Sequence, residues 1–361
     1  MTIKFFKAEC GDAAAIRFFG NDEKFHNIFI DSGYGRTFRY ILEEEIKKII
    51  AVGELIDLWI ISHIHDDHIG GILKYIEVIK SGEYPDVVQQ FFYNPPRKYE
   101  FDSSTFNVSE AVSISQGDTL YEYLRSTNKL LGFDIENTLN PFNFYGLSIT
   151  LLSPSPDQLA ALRQKYPLEL NNPFEKEENE SISDSVSSGQ NDYNKSIDDF
   201  DFKFWKEDSS IENGSSISFI VEHEDTRILW LADSHPSSVL SALRTMGISE
   251  TAKLNFDIVK VSHHGSLNNY STELYSCINC NNYVFSVNGE NKHNLPSKEC
   301  IAKILRLENR IIGSKYDFYF TYDDAVLKGI FEKEEKTIFE KYNFDIHFCC
   351  EREICFEFKK E

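Results

Sequence analysis

The segment His63-Ile64-His65-Asp66-Asp67-His68 places three imidazoles and two carboxylates within six residues. Neutral imidazole and ionised carboxylate are the usual protein ligands of zinc, manganese and iron. The apolar run Leu55-Ile56-Asp57-Leu58-Trp59-Ile60-Ile61 ahead of it has strand length, and Ile69-Gly70-Gly71-Ile72-Leu73 behind it reads as a turn entering a helix. The ligands therefore sit at the C-terminal end of a buried strand, where open α/β sheets place their binding sites. His63 and His65, two residues apart, can point to one side of an extended segment and grip one cation. Asp67 and His68 come from the next turn and can reach a second cation. A polar loop with chance histidines does not account for this density of ligands after an apolar strand.

Six of the ten histidines fall in a few short segments: His63, His65, His68, His263, His264 and His293, with His235 beside Asp233 as a seventh candidate. The spacing of His63, His65, Asp67 and His68 resembles the signature of the metallo-β-lactamase-fold hydrolases. That resemblance implies an α/β chain built as a four-layer αβ/βα sandwich, with two mixed β-sheets flanked by helices and a one- or two-metal site along one edge. Cys10-Gly11-Asp12-Ala13-Ala14-Ala15-Ile16 and Ile28-Phe29-Ile30-Asp31-Ser32-Gly33 look like its opening strands. Asn213–Phe219 and Trp230-Leu231-Ala232-Asp233-Ser234 look like the strands that open its second half. Asp257-Ile258-Val259-Lys260-Val261-Ser262-His263-His264-Gly265-Ser266 is similar to the soluble hydrolase domain of bacterial competence DNA-uptake channels and its stand-alone relatives. Ser286-Val287-Asn288 through Pro296 is similar to that subgroup's late loop, with its usual Gly-His-Pro altered. The likeness covers roughly residues 1–310.

On this resemblance His63 and His65 hold metal one, and Asp67, His68 and one of His263/His264 hold metal two. Asp233 bridges the two. The other imidazole of the pair serves a supporting or phosphate-contacting role. Asp31 and Asp66 orient ligand imidazoles through their ring N–H groups. Two such cations lower the pKa of a bridging water and present hydroxide near neutral pH. Asp67 or Asp233 holds that hydroxide in line, and a metal-bound water or His293 protonates the leaving group. One departure stands out. Between His68 and Asp233 the only histidine is His223, in the expected hairpin turn His223-Glu224-Asp225. Metal one thus lacks an obvious third imidazole, and Asn94, His293 or a water are left to fill the place. Asp12 reads as a local backbone cap and Lys260 as an outward surface lysine.

The 361 residues can bury a large core, and 41% hydrophobic content fits a globular chain. No apolar run approaches bilayer length, and Met1-Thr2-Ile3-Lys4-Phe5-Phe6 lacks the apolar core of a secretion signal, which makes a cytoplasmic location the expectation. Seven irregularly spaced cysteines do not describe a disulfide framework, and Cys277-Ile278-Asn279-Cys280, without a second pair, reads as buried thiols. A formal net charge of −21 argues against a high-affinity duplex binder, which must displace counterions with basic groups. The expected activity is that of a metal-dependent hydrolase with one or two Zn2+ or Mn2+ ions per chain. A phosphodiesterase or nuclease acting on single-stranded nucleic acid or a small nucleotide comes first. A lactone, thioester or other ester hydrolase comes second, and a non-catalytic binding module third.

Length alone allows one large domain or two fused halves, and the resemblance implies a single domain over 1–361. Helices are expected at 37–52, 69–81, 236–246, 271–279 and 297–308, and strands at 55–61, 87–92, 144–152, 216–222, 227–232, 256–262 and 282–287. Ser155-Pro156 predicts a capped helix running to Tyr166. Residues 171–212, rich in Ser, Asn, Asp and Glu, predict a flexible acidic insert. After 310 the pattern turns to β, with strands expected at Tyr316–Thr321, Ala325–Phe331, Phe344–Cys349 and Cys355–Phe358, a tail that completes or extends the second sheet. The insert and this extension are where a partner protein could dock.

Overall fold

The computed structural model describes residues 1–97, 112–167, 191–311 and 313–359. The first strands are β1 (Thr2–Phe6), β2 (Ala14–Phe19), β3 (Phe25–Ile30), β4 (Leu58–Ile60) and β5 (Phe91–Phe92). Next come β6 (Phe142–Phe144), β7 (Leu147–Ser153), β8 (Ser218–His223), β9 (Thr226–Trp230), β10 (Leu254–Phe256) and β11 (Ile258–Lys260). The last are β12 (Ile278–Cys280), β13 (Asn282–Phe285), β14 (Tyr316–Phe320), β15 (Phe344–Phe348) and β16 (Glu353–Glu357). One sheet has the order β16-β1-β2-β3-β4-β5, the other β15-β14-β13-β11-β9-β8-β7-β6, and β10-β12 forms a small separate ladder. Both large sheets are mixed. In the first, β3, β4 and β5 run parallel while β1, β2 and β16 are antiparallel to their neighbours. In the second, β9, β11, β13, β14 and β15 are parallel.

Three apolar clusters show the layering. Ile16, Phe18, Ile28, Leu58 and Ile60 of the first sheet meet Phe219, Val221, Trp230, Ile258 and Val284 of the second. Phe29, Trp59 and Phe91 on the first sheet's outer face pack on Ile46, Ile69, Ile72 and Tyr75 from helices. Val259, Tyr283 and Phe318 do the same for the second sheet against Val239, Leu243, Ile301 and Ile304. The order is helix, sheet, sheet, helix. The alternation of β2 follows from this, with Ile16 and Phe18 buried while Arg17 and Phe19 are exposed. Strands such as β4 and β11 have helices on one side and a sheet on the other, so they are buried at every position.

Local chemistry fixes the helices that frame the site. The helix Asp66–Ser81 starts after His65 in extended conformation and ends at Gly82, which takes the left-handed conformation a C-cap needs. The helix Pro156–Lys165 carries a capping box between Ser155 and Gln158 and has its proline in the first turn. Cys277 and Cys280 are buried free thiols. Among the described residues no helix is long and apolar enough to cross a membrane.

Three expectations are corrected. Ala325–Phe331 is not a strand, because Asp324 accepts a hydrogen bond from the Leu327 N–H at 2.9 Å and caps a helix over Ala325–Gly329. The C-terminal extension does not stay with the second sheet: β14 and β15 extend it, but β16 crosses over to pair with β1. Of the expected insert, 171–190 lies outside the described residues, and 191–212 is packed onto the second half. Tyr193, Ile197 and Phe200 enter the core there. Asp192 accepts from the Lys298 and Glu299 N–H groups, each at 2.9 Å. Glu334 meets fully buried Lys298 at 2.6 Å and accepts from the Ile197 N–H at 2.9 Å. Polar composition concealed these anchors, because each acidic side chain spends its charge on a backbone donor or a buried lysine.

Candidate metal centre

Four strand ends and two tight turns build the site. In the first half, β4 runs into Ser62-His63, and His65 precedes the helix whose first turn carries Asp66 and Asp67. The Cys10–Asp12 turn closes on that helix start, with the Asp12 N–H donating to the Asp67 carbonyl at 3.2 Å. A Cβ on Gly11 would lie 2.2 Å from that carbonyl, so the approach requires glycine. Asp31, at the end of β3, accepts from the Ser62 N–H at 2.7 Å and the Ser62 hydroxyl at 2.9 Å, and lies 2.9 Å from His68 Nδ1. The ring proton of His68 is thereby fixed on Nδ1, and Nε2 is left with its lone pair toward the site.

In the second half, β9 and β11 end side by side. The His263 N–H donates to the Ala232 carbonyl at 2.8 Å, next to Asp233. His263 and His264 have φ of 44° and 55°, two successive left-handed residues without glycine. Such backbone is strained and persists only where surrounding contacts enforce it. It turns both imidazoles toward Asp233. Nδ1 of His264 lies 2.8 Å from the Ser286 carbonyl, and Nδ1 of His263 lies 2.9 Å from Asn269 Oδ1. Each ring again directs Nε2 inward.

Asp233 Oδ2 is the centre of the arrangement. Nε2 of His68, His263, His264 and His63 lie 3.4, 3.7, 3.8 and 3.9 Å from it. Asp67 Oδ2 lies 3.5 Å from His264 Nε2 and 3.7 Å from His68 Nε2. His63 Nε2 and His65 Nδ1 are 3.1 Å apart. Two donors bound tetrahedrally to one zinc at its usual bond length are separated by about 3.4 Å. His63, His68 and Asp233 form one compact group, and Asp67, His68 and His264 a second. Buried His68 Nε2, His264 Nε2 and Asp233 Oδ1 have no aligned hydrogen bond. Buried polar atoms left this way are the signature of an unfilled valence, and a divalent cation is the group that fits imidazole and carboxylate lone pairs converging on one point.

The electrostatics point the same way. Burial, helped by neighbouring His68 and His65, holds the His63 imidazole well below its ordinary pKa, in the neutral form a metal needs. Burial works against charge on His68, yet Asp233, Asp67 and Asp31 raise its pKa well above the usual value. Burial also disfavours charge on Asp233, but His263, His68 and His264 hold its carboxyl well below the ordinary range. Asp67 is lowered too, by His68 and His264 against burial. Burial raises Asp31, offset in part by His68. Asp67 and Asp233 are thus held in the ionised form that metal-ligating carboxylates take.

Of the residues expected from sequence, His63, His65, Asp67, His68, Asp233, His263 and His264 are gathered here, with Asp31 behind His68. Both members of the His pair reach Asp233, not one. Other expectations are revised. Asp66 accepts from Gln116 Nε2 at 2.7 Å instead of orienting an imidazole. His293 belongs to the 291–295 turn, where its N–H donates to Asn291 Oδ1 at 3.2 Å, and it is in none of the three candidate ligand groups around His68, so it does not fill the third place of metal one. Asn94 does not fill the third place of metal one, since its amide bridges both backbone groups of Ile135. His235 Nε2 is turned to the Ser210 carbonyl, at 2.8 Å. Asp12 and Lys260 are wholly buried beside the ligands, against a reading as local cap and surface lysine.

Residues 26–145 match the family model described as Metallo-beta-lactamase superfamily, a span that contains His63, His65, Asp67 and His68 but ends before Asp233. A comparison with curated proteins finds no match. Among solved structures, the metallo-beta-lactamase fold protein YhfI from Bacillus subtilis aligns over 99% of both chains, at 10% identity and a TM-score of 0.40. Zn(2+)-bound PqqB from Methylobacterium extorquens aligns over 99% of this chain and 100% of its own, at 10% identity and a TM-score of 0.41. Likenesses this distant say nothing of substrate. The chain has the metallo-β-lactamase fold, two mixed sheets flanked by helices, and its residues 26–145 are similar to the metallo-β-lactamase superfamily, whose members are mostly metal-dependent hydrolases.

Proposed function

We propose that this protein is a metal-dependent phosphodiesterase, acting on single-stranded nucleic acid or a small nucleotide with one or two Zn2+ or Mn2+ ions. The observation that carries it is the ring of inward-facing imidazole nitrogens around Asp233 Oδ2, at 3.4–3.9 Å. Divalent cations held there supply Lewis acidity toward a substrate oxygen and an acidified water.

The protein's own groups divide the remaining work. His63, His65, His68, Asp67, Asp233 and His264 would hold the cations. His263 differs from the other imidazoles in exposure: its side chain is 20% accessible, against 1% for His264 and 0% for His63 and His68. With Nδ1 fixed by Asn269, its Nε2 stands at the solvent side of Asp233, where it can contact a phosphoryl oxygen or return a proton to a leaving group. The likeness of Asp257–Ser266 to the competence-channel hydrolases supports a phosphodiester over a carboxylic ester. The net charge of −21 supports a small or single-stranded substrate over duplex.

The test is turnover of bis-nitrophenyl phosphate and short oligonucleotides, beside lactones and thioesters, with added Mn2+ or Zn2+. Phosphodiester turnover dependent on metal is expected. Lactone or thioester turnover without phosphodiester turnover overturns the substrate class, and less than one bound ion per chain after metal loading overturns the enzyme reading.

A further inference from the structure

Beneath the centre lies a buried ion pair that the ligand scheme does not use. Lys260 ends β11, a strand flanked by β9 and β13, and its side chain is fully buried. Its ammonium is paired with the Asp12 carboxylate, donates to the Ala232 carbonyl at 3.3 Å, and lies 5.7 Å from the centroid of the Trp230 ring. It also stands 4.0 Å from Asp233 Oδ1. The two oxygens of Asp233 therefore face different charges, with the imidazoles at Oδ2 and the lysine on the side of Oδ1. Asp12 reaches the ligands from below, with its carboxylate 3.6 Å from His264 Nδ1 and 3.9 Å from His68 Nδ1.

Taking an ammonium and a carboxylate out of water carries a large desolvation cost, and well-packed apolar residues usually serve stability as well or better. A charge pair placed within 4.0 Å of a ligand oxygen acts on whatever cation that ligand holds. We propose that Lys260 and Asp12 are positioning residues of opposite sign that set the cation affinity of the centre. Lys260 weakens binding by repulsion and holds Asp233 so that Oδ2 faces the imidazoles. Asp12 strengthens binding through the Nδ1 side of His68 and His264. This rests on the metal reading of the site given above.

The test is a charge cycle in the full chain: Lys260→Met, Asp12→Asn and the double variant. The readouts are the zinc dissociation constant, by competition with a chromogenic chelator, and the melting temperature of the metal-free protein. Lys260→Met is expected to bind zinc at least about ten-fold more tightly and Asp12→Asn at least about ten-fold more weakly, with the double variant within a few-fold of wild type. Metal-free Lys260→Met should melt lower, since Asp12 is left without a countercharge, and should regain stability with zinc. If both single variants weaken binding, or neither moves it, the pair is structural only and the proposal is overturned. Should Lys260→Met fail to fold, Asp12→Asn and the double variant decide: loss in the first and recovery in the second supports the proposal, and loss in both ends it. A wild-type chain that binds no zinc ends the metal reading and this role together, whereas normal wild-type binding with unmoved variants ends only the latter.

Discussion

The two halves of the molecule supply the same centre in different ways. The first half delivers His63, His65, Asp67 and His68 from one strand end and the helix turn that follows it. The second delivers Asp233 from the end of β9 and His263 and His264 from the end of β11, joined by parallel pairing in which Leu229 faces Val259 and by the bond from the His263 N–H to the Ala232 carbonyl. The first set is positioned by local geometry. The second depends on sheet register and on two strained left-handed histidines. One candidate metal centre is thus half motif and half architecture.

The largest effect that sharpens this contrast is expected at Asp233, which both ligand sets share. Asp233→Asn should lower metal-dependent hydrolysis by about 10³-fold or more and reduce bound metal, with an unchanged circular dichroism spectrum. Asp67→Ala/His68→Ala should lose turnover and the ion these residues hold, again with the fold intact. Elemental analysis beside steady-state rates checks both. If Asp233→Asn keeps its metal while the first-half variant loses it, the architectural half is dispensable and the comparison breaks.

A change far from the centre should separate stability from chemistry. Lys298→Met leaves Glu334 buried without its partner and should cost about 3–5 kcal/mol in chemical denaturation, with metal content per folded chain unchanged. Loss of metal instead would mean that the anchor of residues 191–200 also shapes the site.

A smaller effect is expected behind the first-half ligands. Asp31→Asn removes the carboxylate that fixes the His68 ring and should weaken zinc binding about 10–100-fold in a chelator competition.

The smallest concerns a contact between the halves. His26 on β3 stacks on Tyr145 at 3.7 Å between centroids and bonds Asp22 and Asp57. Burial opposes its charge, but the two carboxylates raise its pKa above the ordinary histidine value. A raised folded-state pKa gives stability that is full below the unfolded-state value and is lost as pH rises through the folded one. His26→Gln should therefore lower the melting temperature more at pH 5.5 than at pH 9, and an equal shift at both would remove the charge contribution.

The parts of the site legible in sequence were those in which spacing alone aims side chains. His63-x-His65-x-Asp67-His68 has this property, because an extended residue and a helix first turn have fixed directions. Lys260 was misread because charge suggests surface. The signal against that lay in Ile258-Val259-Lys260-Val261, a run apolar on both sides, which belongs to a strand covered on both faces. Asp12 gave a weaker signal, a glycine before it that permits close approach to the Asp67 backbone. Asp66 was placed by proximity in sequence, which does not say which way a helix turn faces.

By itself the sequence determined the layered α/β alternation, the first-half ligand set, and the presence of Asp233 and the His pair at strand ends. These follow from periodicity and from the few directions a strand end allows. Tertiary structure alone decided that both His263 and His264 reach Asp233, that Asp192 and Glu334 anchor a polar stretch, and that Lys260 and Asp12 share a dry pocket under the ligands. Such facts depend on which strands become neighbours, and burial, which gives a charge its strength, is a property of the assembled layers rather than of any segment.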